Sequence, residues 1–235
     1  MRKLWLSLIC VIPCLAQQPR LNFSGVIAGS LTGGDGTKIV GGYVSLQRLP
    51  PYPQRVRQTN WTAVTAAGGT FRFEGLNDGS YQLCAQVPKS TWLNPCEWGP
   101  QPPVVTMSAA QAFAVVTLVM KEGAVVPIRL EDPAQLLAQH EGRAPGAHLL
   151  VGVANDARWF RPALVTSRDA GGKNYQVLVP FNSTVNIVVY SAFFQLADAG
   201  GLPLPRTRAA AIPVSVPAGQ QPTPVRLRVT GGGGQ

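Results

Sequence analysis

Histidine occurs twice in these 235 residues, acidic residues eleven times and cysteine four times, and each shortage excludes a class of chemistry. His140 and His148 are too far apart for a His-x-x-x-His helix pair. Their acidic neighbours Glu131, Asp132 and Glu141 read as a helix start and a solvated loop, so no metal site is expected. No Gly-x-Ser-x-Gly elbow is present, and a serine hydrolase needs one to expose its nucleophile. Gly33-Gly34-Asp35-Gly36 lacks the lysine and the following helix of a phosphate loop. Asp35, Asp78 and Asp198 stand singly in glycine-rich turns, one carboxylate each, too few to cage calcium. No pair of the remaining acids forms a recognisable glycosidase motif. The expectation is a protein that is not an enzyme, with no catalytic residue, no cofactor and no metal. Long apolar runs are also scarce: beyond the N-terminus none approaches the roughly 20 residues that cross a bilayer, so no transmembrane segment is expected.

What is present begins with an export signal. Met1-Arg2-Lys3 is basic, Leu4 to Leu15 is almost unbrokenly apolar, and Cys14 and Ala16 stand at −3 and −1 before Gln17. Residues 1–16 therefore read as a signal peptide, and the protein as secreted or periplasmic. Lipidation at Cys14 is disfavoured by Pro13, where a small residue is wanted. Cys10 and Cys14 leave with the signal. The remaining even pair, Cys84 and Cys96, reads as one disulfide in an exported chain, two buried free thiols being the alternative. Such a bond would close a short loop and restrict the denatured chain by about 3 kcal/mol. The formal charge of +9 falls by two with Arg2 and Lys3, and the other basic residues are scattered without a groove-sized stripe. No nucleic-acid partner is expected.

Period-2 alternation between glycine turns dominates the rest. Residues 22–27, 42–47, 61–65, 70–74, 79–85 and 113–118 read as strands, Phe71 and Phe73 opposing Thr70 and Arg72 across the pleat. Leu49-Pro50-Pro51-Tyr52-Pro53 cannot join a central ladder. Lys121-Glu122-Gly123 interrupts the β-branched run, so a first domain is placed at 20–120 and a second at 121–230. In the second, Asp132 as N-cap and Pro133 at the first helical position predict a helix over 131–139. Strands follow at 148–154, 174–180, 184–191 and 225–229, with an edge strand at 212–216. Ser167-Arg168-Asp169-Ala170-Gly171-Gly172 reads as a hairpin turn. Residues 231–235 read as a flexible glycine tail. The fold class is all-β, two β-sandwich domains, the second loosely immunoglobulin-like.

Thr65, Gly69, Phe71, Phe73, Leu76, Gly79, Tyr81 and Leu83 stand at the spacing of one known pattern, preceded by Gly25-Val26-Ile27 and Gly42-Tyr43-Val44. This stretch, and with it residues 22–119, resembles the carboxypeptidase regulatory-like domain. The resemblance implies a transthyretin-like sandwich without chemistry of its own. It departs from the pattern at Ala66, where the family has aspartate, leaving the turn to Gly68-Gly69 and the backbone. With this module and no catalytic cluster, the expected role is adhesion, assembly or binding at the bacterial cell envelope, with a protein or glycan as partner. The alternatives are a carbohydrate-binding module or an accessory domain of an extracellular enzyme. Trp92, Trp98, Tyr52 and Trp159 are the candidate contact residues, because exposed aromatics near proline-rich loops grip sugars and partners. Trp61 and Tyr43 are expected to pack in the core or cap the sandwich edge. If Cys84 and Cys96 are bonded, Trp92 and Trp98 should form a ledge over the edge of the first sandwich, and loss of the bond should loosen that sandwich alone.

Overall fold

A computed structural model describes residues 24–50, 60–99, 101–139, 149–155 and 159–232. The predicted signal peptide, Tyr52, both histidines and the last three residues of the glycine tail lie outside the described residues. In chain order the first half runs β1 (Gly25–Gly33), β2 (Tyr43–Arg48), β3 (Asn60–Val64), β4 (Thr70–Leu76), β5 (Gly79–Gln86), β6 (Trp92–Leu93), a single helical turn α1 (Pro95–Trp98) and β7 (Val104–Met107). The 19-residue β8 (Phe113–Glu131) then leads to α2 (Leu136–Gln139), β9 (Leu150–Asn155), β10 (Trp159–Pro162), β11 (Leu164–Asp169), β12 (Gly172–Pro180), β13 (Ser183–Tyr190), β14 (Phe194–Asp198), β15 (Ala210–Val216) and β16 (Val225–Gly232).

Two sandwiches share β8. In the first, β4, β1 and the N-terminal half of β8 face the four-stranded sheet β3-β2-β5-β7. In the second, β11, β12, the C-terminal half of β8, β16 and β14 face β10-β9-β13-β15. Even-numbered residues of β8 point inward along most of its length. Ala114, Leu118 and Met120 enter a core with Ile27, Leu31, Phe71, Phe73, Tyr81 and Leu83. Ala124, Val126, Ile128 and Leu130 enter another with Val153, Val177, Ile187 and Leu227. A strand side chain alternates strictly with residue number, so an unbroken β8 puts both cores on the same face of one sheet.

Hydrogen bonding divides the edges of β8 just as regularly. The Val26 N–H donates to the Ala112 carbonyl at 2.9 Å and the Asp132 N–H to the Gly171 carbonyl at 2.7 Å. The even-numbered side of β8 is therefore taken by β1 and then by β12. On the odd-numbered side the Gly123 N–H donates to the Thr91 carbonyl at 2.8 Å, beside the pairing of Leu93 with Lys121, and β16 joins at Val225 opposite Ile128. Pro127 thus sits one residue before β16 arrives, where its missing N–H deprives no ladder.

Several expectations change. The strand does not break at Lys121-Glu122-Gly123: both charged residues are exposed because they fall in the gap between the two cores. The helix predicted over 131–139 is only its last turn. Glu131 still belongs to β8, and buried Asp132 reaches past a turn to accept from the Leu136 N–H at 2.9 Å and the Leu137 N–H at 2.8 Å. The strand at 212–216 lies at the sheet edge as expected, starting at Ala210. The strands β6, β7, β10, β11 and β14 escaped the sequence reading, and β11 pairs with β12 across the expected turn at Asp169–Gly172. Trp61 packs on the first core, edge-on to Tyr81 at 5.7 Å, whereas Tyr43 is exposed. Beside Ala66, the Thr65 hydroxyl donates to the Ile39 carbonyl at 2.8 Å and accepts from the Gly42 N–H at 2.9 Å.

Gly123 marks the crossing point. A Cβ there would lie 2.6 Å from the Val179 carbonyl oxygen and 2.7 Å from a Leu93 methyl. Because one of those neighbours is backbone, β8, β6 and β12 must part to admit it. Gly123→Ala should lower unfolding free energy by about 1–3 kcal/mol in urea titrations. Gly219→Ala, at a turn with nothing within 4 Å, should perturb only its own positive-φ turn.

Candidate junction cleft

The residues between β5 and β7 build a site that both sandwiches share. Cys84 on β5 is half-buried and bonded to Cys96 in α1, with Cα atoms 5.5 Å apart. The intervening loop makes its own local structure. The Ser90 hydroxyl donates to the Val87 carbonyl at 2.7 Å, and the Trp92 N–H donates to that hydroxyl at 3.2 Å. Two residues of β6 then pair with β8, and Leu93 is buried.

Asn94 starts α1 for a clear reason. Its Oδ1 accepts from the Cys96 N–H at 2.9 Å, its Nδ2 donates to Glu97 Oε1 at 3.2 Å, and Pro95 occupies the first helical position where no N–H is needed. This side-chain cap, together with the disulfide, fixes a helical turn too short to persist alone.

The two tryptophans part company here. Trp92 packs on the first core, its ring so close to Gly33 that a Cβ there would lie 2.6 Å from Cη2. Trp98 packs against the second core. Beside it Glu97 forms an ion pair with Arg161 of β10, in the second sandwich. Burial lowers the Arg161 guanidinium from its ordinary value, and arginine still stays charged at neutral pH because that value is so high. Both partners are about a third exposed, so the pair contributes on the order of 1 kcal/mol or less. The expected ledge over the first sandwich is therefore a bracket between the two. Half-buried Trp92 and Trp98 spend most of their apolar surface on the protein itself.

The bracket leaves a cleft of about 390 Å³ at the junction. One wall is Leu93, Asn94, Pro95, Trp98 and Gly99; the others are Gln101 and Pro103, the β8 residues Val119, Lys121 and Glu122, and Pro180-Phe181 at the end of β12. Its lining is mainly apolar, with one cation and one anion, Lys121 and Glu122, consecutive on β8 and so on opposite faces of the strand. Of the four aromatic candidates, the structure places Trp98 in this cleft and Trp92 beside its wall. Trp159 begins β10, and Tyr52 lies outside the described residues. Phe181, Pro180 and Lys121 were missed by the sequence reading, since nothing local ties them to the loop 85–97. Among the described residues no three histidine, cysteine or acidic side chains could together hold a metal, and no helix is long and apolar enough to cross a membrane. Asp35 and Asp198 serve their own turns: Asp35 accepts from the Thr37 N–H at 2.9 Å, and Asp198 accepts from the N–H groups of Gly200 and Leu202 at 2.9 Å.

No family model matches the chain, and no curated protein matches it. Solved structures overlap it loosely. A streptococcal ancillary pilin is 10% identical with a TM-score of 0.37, the overlap covering 87% of this chain and 62% of that one. The TIE protein of Bacillus anthracis is 11% identical with a TM-score of 0.34, over 88% and 34%. The minor pilin of Streptococcus agalactiae is 12% identical with a TM-score of 0.37, over 90% and 98%. The chain thus spans less than two thirds of the first two. Likeness at this level carries no argument about function.

Because the bracket reaches both cores, its loss should be felt in both, not in the first sandwich alone. Cys84→Ser with Cys96→Ser should reduce stability by about 2–5 kcal/mol. Hydrogen exchange should speed up at β10 and β9 as well as at β5 and β6. Exchange in β9 and β10 identical to that of the bonded protein would show that α1 holds the junction without the disulfide.

Proposed function

We propose that this chain is a non-enzymatic, exported protein of two sandwiches that works as an adhesion or assembly element at the bacterial cell envelope, taking a protein partner in the junction cleft. On this reading the first sandwich is a carboxypeptidase regulatory-like module. The observation that carries the proposal is the construction of the cleft: a disulfide, the Asn94 helix cap and a shared strand hold its walls in place, so a partner is met by a surface already ordered. Its chemistry suits an extended protein segment. Pro95, Pro103, Pro180 and Phe181 offer apolar surface, while Lys121 and Glu122, on opposite faces of β8, offer a cation and an anion at its rim to orient a backbone or a charged side chain.

The glycan alternative needs a flat, exposed ring face, and Trp92 and Trp98 each turn toward a core. It therefore ranks second. A photo-crosslinking residue at Lys121, in the exported protein in its native cells, should give a discrete adduct with an envelope protein, and Phe181→Ala should abolish it. The same residue at Arg72, on the outer face of β4, should give none. Equal labelling from both positions, or none from Lys121, would contradict the proposal. Saturable binding on a glycan array, lost in Trp98→Ala, would move the reading to the carbohydrate module. Turnover on peptide, ester or glycoside panels would overturn the non-enzymatic assignment.

A further inference from the structure

The odd-numbered edge of β8 is occupied by β6 from Lys121 onward, yet among the described residues no strand pairs with it over Phe113 to Val119. Since β1 takes the even-numbered amides, the N–H and C=O groups of Phe113, Val115, Thr117 and Val119 point out of the sheet. Their side chains lie on its outer face, Phe113 55%, Val115 71% and Val119 52% exposed. Natural edge strands are blunted by lysine, proline or a bulge. This one has none of these before Lys121, and its pairing with β1 runs in unbroken register from Phe113 to Met120.

We infer that this edge pairs with its equivalent in a second copy, forming a two-fold symmetric dimer in which the β8 strands run antiparallel. Two features select a second copy over a foreign strand. The segment from Phe113 to Met120 carries no charge, so self-pairing sets no like charges opposite each other. It also complements itself in one register. With Phe113 opposite Val119 of the second copy and Val115 opposite its Thr117, all four outward residues of each chain become hydrogen-bonded pairs. Each pair exchanges two bonds, about eight in the seam. The register also sets an aromatic ring against a β-branched side chain at both ends, a favourable cross-strand pair. A register two residues farther along would place Phe113 opposite Lys121, whose edge β6 already holds. A single pair of edge strands buries less than the roughly 1,200 Å² of a stable interface, so the dimer should be concentration-dependent. This inference does not rest on the cleft; the seam meets it at Val119, which lines both, so the dimer and a segment bound in the cleft compete for that residue.

Sedimentation equilibrium of the mature oxidised protein should show reversible dimerisation. Val115→Lys, at a position so exposed that the fold should tolerate it, should weaken the dimer at least about tenfold by placing a lysine beside the two-fold axis. Register is tested separately. Under mild oxidant, a mixture of Val115→Cys and Thr117→Cys chains should form an inter-chain disulfide faster than either variant alone. A protein that is monomeric at every concentration overturns the inference and leaves the edge to a strand from another chain. So does a dimer that Val115→Lys leaves intact and the mixed cysteines do not link.

Discussion

One strand with an unbroken alternation governs this molecule. β8 passes from one hydrophobic core to the other without turning over, so its even-numbered residues serve the first core from Ala114 to Met120 and the second from Ala124 to Leu130. A slip of one residue anywhere along it would expose Leu118 or Val126 and bury Val119 or Val125. The two cores therefore constrain each other's register, and the sandwiches lie side by side on one face of a common sheet rather than as beads on a linker.

The odd-numbered side of β8 explains where everything else can attach. Over its first residues no described strand pairs with it, then β6 pairs briefly, then β16 completes the second sheet. The disulfide and α1 follow from β6: once Leu93 is paired with Lys121, the chain continues directly into the cap at Asn94, and Cys96 returns it to β5. Trp92 and Trp98 are divided between the cores by this short path. The cleft is the space left where the bracket, the shared strand and Pro180-Phe181 meet. The rigidity of the junction and the shape of the cleft thus have one origin.

Local periodicity made β2 to β5 and β12, β13 and β15 legible to within a few residues, because each packs one face on a core and is bounded by glycine or proline. The course of β8 was not legible. Lys121 and Glu122 look like a loop in one dimension, but a strand crossing the gap between two cores meets water on both faces and selects the same residues. Asp132 was recognised as a cap, yet its distance from the helix it caps depends on the turn at Gln135, which has positive φ and no sequence signal. The disulfide could be read from the cysteine count; that its loop reaches Arg161 could not, since the ion pair joins residues far apart in sequence. Phe181 and Lys121 join the cleft through the pairing of β12 with β8, information that lies in the topology.

The most direct test of a shared strand is the cooperativity of unfolding. Differential scanning calorimetry of the oxidised protein should give a single transition, with calorimetric and van't Hoff enthalpies in agreement and tryptophan fluorescence coincident with far-ultraviolet circular dichroism. Two resolved transitions, one for each sandwich, would show that β8 joins the cores without coupling them.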